Sequence, residues 1–146
     1  MTDSFDIDAA DLASDARQLL AELDRDLPGA SASTGECKPP LDVLETADSV
    51  EVVVDLPGVP REALRVAIRR KTLLVVGAKL SPPTEAAPRL HIAERSYGRF
   101  ARAVRIGAAV DSSRARAIVA SGQLRVILPR IPDRRGQFVL VPISAG

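Results

Sequence analysis

Between Leu41 and Pro129 the apolar residues recur at every second position, in short runs separated by turn signals, and this most constrains the fold. Over 49–56, Val50, Val52, Val54 and Leu56 share one face while Ser49, Glu51 and Asp55 share the other. Over 63–69, Leu64, Val66 and Ile68 alternate with Arg65 and Arg69. The run 98–106 sets Phe100, Val104 and Ile106 against Arg99, Ala101, Ala103 and Arg105. The stretch 72–78 is apolar on both faces, as a central strand requires. Runs 114–120 and 123–128 flank Ser121-Gly122, a two-residue hairpin signal. Asp55-Leu56-Pro57-Gly58 carries a type II turn signature in its Pro-Gly pair. Six or seven short strands punctuated in this way predict an antiparallel β-sandwich.

Upstream the period changes. Leu12, Ala16, Leu19, Leu20, Leu23 and Leu27 follow helical spacing, so a helix is expected over 8–27, started by Asp6 or Asp8 and ended by Pro28-Gly29. Residues 28–40 read as a linker, and 81–88 and 129–136 as flexible stretches. The expected organisation is an arm over 1–38, a sandwich over 39–130 and a C-terminal extension over 131–146.

The net charge of +1 conceals an asymmetry. Residues 1–27 carry eight carboxylates against Arg17 and Arg25, a local net of −6, which leaves +7 on the remainder. The two parts are complementary, within one chain or between subunits; two solvated faces of opposite sign is the alternative.

Catalytic constellations are sparse. His91 is the sole histidine, so a two-histidine metal site and a well-placed catalytic triad both lack material. Cys37, the sole cysteine, has no internal disulfide partner and reads as an unremarkable exposed thiol in a reducing, cytoplasmic setting. No phosphate-cradling glycine loop is present, and no cofactor is expected. Arg69-Arg70-Lys71 and Arg134-Arg135 have no interleaved aromatics on which bases would stack, so nucleic acid is not expected as a partner. No run approaches the roughly 18 apolar residues of a membrane span.

Arg102 shares the apolar face of its run, and a buried guanidinium must meet a carboxylate or a wet interface, unless its stem lies on apolar surface with its head in solvent. Val141 and Ile143 lie on one side of an extended tail, whereas Pro142 cannot donate to a ladder. Such a segment suits docking by one side on another sheet, or folding back on its own.

Four segments resemble hallmarks of the small heat-shock protein (α-crystallin) family. They are Leu56-Pro57-Gly58-Val59, Glu94-Arg95-Ser96-Tyr97-Gly98-Arg99-Phe100, the hairpin Ala117 to Leu124, and Val141-Pro142-Ile143. The resemblance covers about 41–143 and is of the bacterial and plant type. It implies an immunoglobulin-like sandwich of the α-crystallin type and a non-enzymatic, ATP-independent holdase that keeps non-native clients from aggregating under stress. It also implies homodimers built into higher oligomers. A short strand near Arg89–Arg95 would pair with a neighbouring subunit, so His91, Glu94, Arg95, Tyr97, Phe100 and Arg102 are candidate dimer-interface residues. The anchors Val141 and Ile143 would enter another dimer's groove, lined by Leu64, Val66, Ile68, Ala117 and Val119. Clients would dock on that groove and on the arm residues Leu12, Leu19, Leu20 and Leu23. In three places the chain departs from the family pattern: Ser121 replaces the usual Asn, Gly107 a Pro, and Val141 an Ile. A dedicated co-chaperone or adaptor of the CS-domain kind is the competing reading; it would not need the Glu94–Phe100 element or the tail.

Overall fold

The computed structural model describes residues 2–27, 37–82, 89–132 and 138–146, with side chains of the helix from Leu12 onward. The Pro28-Gly29 helix stop, the Pro-rich stretch 83–88 and Arg134-Arg135 lie outside the described residues.

One helix, α1 (Thr2–Asp26), precedes seven strands: β1 (Leu41–Glu45), β2 (Ser49–Asp55), β3 (Leu64–Arg69), β4 (Thr72–Lys79), β5 (Gly98–Arg105), β6 (Arg116–Ala120) and β7 (Gln123–Pro129). They form two antiparallel sheets, β1-β2-β7-β6 and β3-β4-β5. The inner faces carry the alternating residues expected: Val50, Val52, Val54, Leu124, Val126 and Leu128 from one sheet, Leu64, Leu73, Val75, Phe100 and Val104 from the other. The helix begins six residues earlier than its apolar spacing suggested, so Asp6 and Asp8 lie within it rather than capping it.

The turns explain the chain's direction changes. The type II turn runs Leu56 to Val59, one residue beyond the quartet read from sequence: Val59 N–H donates to the Leu56 carbonyl at 3.2 Å, and Gly58 takes φ +77°. At the β6–β7 hairpin Ala120 pairs with Gln123, and both Ser121 (φ +54°) and Gly122 (φ +74°) are left-handed, which is the type I′ turn that matches strand twist. The two turns meet, because Leu56 N–H donates to the Gly122 carbonyl at 2.7 Å. Serine bears a steric cost in the left-handed region that Asn bears less. Ser121→Asn should therefore raise stability by about 0.5 kcal/mol, seen as a Tm increase of roughly 2–3 °C. A decrease in Tm would mean that Ser121 contributes something other than its turn conformation.

β4 is central in its sheet and buried on both sides, as its sequence predicted. Leu73 and Val75 face the sandwich core. Ala78 faces the other way, against Leu23 of α1, with Leu20, Leu27 and Leu80 alongside. Three ion pairs hold the helix to this outer face: Asp15–Arg69 at 3.2 Å, Asp24–Arg99 at 3.2 Å and Asp26–Arg65 at 3.1 Å. The charge asymmetry is thus expressed within one chain.

Candidate functional site

The two edge strands β3 and β6 belong to different sheets and border an open cleft of about 230 Å³. Its lining includes Val66, Ile68 and Leu73 on one side and Ala115, Ala117 and Val126 on the other. Period two puts Leu64, Val66 and Ile68 on the inward side of β3, yet only Val66 and Ile68 line the cleft. Leu64 is buried in the core, opposite Gly77, and is not part of the cleft wall, a correction to the groove inferred from sequence. Val119 is half-buried and packs on the core rather than lining the cleft. Leu73, on the neighbouring strand, takes a place in the wall that the sequence did not reveal, since counting along one strand cannot say which side chains of the next show between its residues.

The tail is laid out in the open. Val141 is 78% exposed and Ile143 98%, and Phe138, Val139 and Leu140 are exposed with them. Its apolar side chains are therefore not seated on the chain's own sandwich.

Residues 89–97 make no strand within the chain. Leu90, His91, Ile92, Glu94 and Arg95 are exposed, while Tyr97 is half-buried with Arg95 over its ring at 5.2 Å and Lys79 at 6.0 Å. Phe100 departs from the dimer-interface expectation: it is buried in the core, its ring against Gly77 on the adjacent strand. Arg102 does lie on the inward face, half-buried, and its partner within the chain is neither carboxylate nor solvent alone. Its Nη1 donates to the Pro39 carbonyl at 2.7 Å, tying the segment before β1 to β5.

The model of the Hsp20/alpha crystallin family matches residues 42–143, from the first strand to the last tail anchor. The chain belongs to the Hsp20/alpha crystallin family. It is 34% identical over 125 residues to Heat shock protein 16 of Schizosaccharomyces pombe, covering 83% of this chain and 82% of that one. It is also 32% identical over 105 residues to the 18.9 kDa heat shock protein of Oryza sativa, where the match spans 71% of this chain but only 59% of the rice protein. Among solved structures, Heat shock protein 16.0 from S. pombe superimposes with a TM-score of 0.61 at 32% identity, over 75% of this chain and all of that one. A small heat-shock protein from Xylella fastidiosa shares the fold, with a TM-score of 0.63 at 21% identity, over 75% of this chain and 97% of that one.

Members of the Hsp20 family are non-enzymatic stress chaperones, so the functional parts of this chain are surfaces rather than a reaction centre. Among the described residues no helix is long and apolar enough to cross a membrane.

The arm is where the sequence reading needs most correction. Leu23, taken from its spacing as a client contact, is 0% exposed and packs on Ala78. Leu20 packs beside it, and Leu12 and Leu19 are half-buried. Helical periodicity identifies an apolar stripe without naming what it meets, and here it meets the chain's own sheet. Cys37 likewise is half-buried against the core, not a freely exposed linker thiol.

Proposed function

We propose that this chain is an ATP-independent holdase that assembles through its tail and captures unfolding proteins on apolar surface uncovered as the assembly loosens. The observation that carries this reading is the pairing of an exposed apolar tail with an open apolar cleft of similar chemistry in the same chain. Val141 and Ile143 would seat in the β3–β6 cleft of another subunit, against Val66, Ile68 and Ala117, making a weak contact that many copies multiply. The exposed stretch 89–97, with His91, Glu94, Arg95 and Tyr97, would pair with a neighbouring subunit to form the dimer. Arg102 would belong to that interface as well. A lone cysteine fits a reducing, cytoplasmic location.

Light scattering from a heat-labile enzyme at its unfolding temperature, without nucleotide, tests the reading. The expected result is suppression at near-stoichiometric ratios of this protein to the enzyme. Unchanged scattering, with the protein itself still folded, would sink the holdase and favour an adaptor dedicated to one partner.

A further inference from the structure

The outer face of the β3-β4-β5 sheet has a chemistry that neither assembly nor the sandwich core requires. The strand registers put Arg65, Ala67 and Arg69 of β3, Thr72, Leu74, Val76 and Ala78 of β4, and Arg99, Ala101, Ala103 and Arg105 of β5 on this one side. An apolar strip along β4 is thus bordered by small alanines and rimmed by arginines, of which Arg65, Arg69 and Arg99 lie toward α1. All three arginines are engaged by carboxylates of α1. Asp15 and Asp26 reach β3 while Asp24 reaches β5, so the helix straddles the strip, its acidic contacts spread over about 16 Å of axis.

The helix is held imperfectly. The six charged groups of these pairs are between 23% and 58% exposed, the range in which ion pairs are weak and screened by salt. Oδ1 of Asp24 is buried without a hydrogen-bond partner, the one such side-chain atom among the described residues. Leu23 supplies the one fully buried anchor of the described helix residues.

We propose that this face is a client-binding site for acid-flanked amphipathic helices exposed by unfolding proteins, and that α1 is its resident competitor. The occupant's chemistry follows from the seat: leucine-sized side chains for the strip, carboxylates for the arginine rim. Binding requires α1 to lift, and its hold on the sheet weakens with each ion pair lost. The proposal rests on the holdase reading for its biological use, but the seat itself is testable separately.

The test uses the full chain with Asp15→Lys, Asp24→Lys and Asp26→Lys together, and a labelled synthetic peptide of residues 8–27 as the probe. Anisotropy should show the peptide binding this variant on the order of tenfold tighter than the unaltered chain, because the seat is vacated with its arginines intact. Raising salt from about 0.05 M to about 0.5 M should weaken that binding. A peptide with those three acids changed to lysine should not bind. A second full-length variant, Arg65→Glu, Arg69→Glu and Arg99→Glu, also frees the helix but reverses the three charges that α1 engages, and should bind the acidic peptide no better than the unaltered chain. Equal binding to all three proteins, or equal binding of the acidic and basic peptides, would overturn the proposal. Failure of the unaltered chain to suppress client scattering would instead remove the holdase reading and leave the peptide result standing.

Discussion

Gly77→Ala is expected to lower the stability of the sandwich by about 3 kcal/mol, the cost of overpacking a core that has no room to relax. A Cβ at this position would lie 2.6 Å from Phe100 Cζ, 2.7 Å from the Ala63 carbonyl oxygen and 2.8 Å from Leu64 Cδ2. The two side chains could shift in part. The carbonyl cannot, because Ala63 leads directly into β3, where Leu64 is registered opposite Gly77 itself. Phe100 is the cross-strand partner on the other side, and its ring covers the space the glycine leaves. Truncating Phe100 in the same chain should therefore fail to rescue the variant, since the carbonyl clash persists. Gly107→Ala is the control: a Cβ there meets nothing within 4 Å, so its effect should stay within about 0.5 kcal/mol. Urea midpoints decide the matter, and a loss under about 1 kcal/mol for Gly77→Ala would contradict this account of the packing.

Val141→Ala with Ile143→Ala should collapse the large assemblies to small species. The two substitutions remove about five carbon atoms, worth about 4 kcal/mol per docked tail, or on the order of a thousandfold in affinity at each contact. Since assembly multiplies such contacts, the effect on size should exceed the effect on any one of them. Light scattering coupled to size exclusion reads it directly. Ala117→Asp, which places a charge in the cleft, should give the same small species with the tail untouched. If the tail variant shrinks the assembly and the cleft variant does not, the tail docks elsewhere; if neither does, assembly does not run through it.

Much of this architecture was legible in the residues, and the parts that were not share a cause. Period two located the strands, and the two-faced apolarity of 72–78 correctly made β4 central. Ser121-Gly122 marked the hairpin because only left-handed residues close so tight a turn in register with strand twist. The charge imbalance anticipated an attraction, although not that Asp15, Asp24 and Asp26 would find arginines of the same chain. What periodicity lacks is depth: it assigns a side chain to a face without saying what lies across. Hence Leu64, expected in the groove, and Phe100, expected at the dimer interface, are core, both packed around the missing side chain at Gly77. Leu23 likewise turned inward because β4 offers it an alanine rather than a bulkier residue. Arg102 was recognised as needing a partner, yet a main-chain carbonyl from a residue over sixty positions away has no signature in sequence.

The position of Cys37 gives the chain a built-in gauge. This one sulfur packs against the core at the junction of helix and sandwich, two residues from the carbonyl that Arg102 holds. Packing covers part of the sulfur, so a thiol reagent should reach it faster when that junction opens, and a rise in alkylation rate reports opening at a single known place. No engineered label is needed to compare resting, heated and client-loaded states, and a reagent that reaches Cys37 at the same rate in all three would show that the junction stays shut while the surfaces around it work.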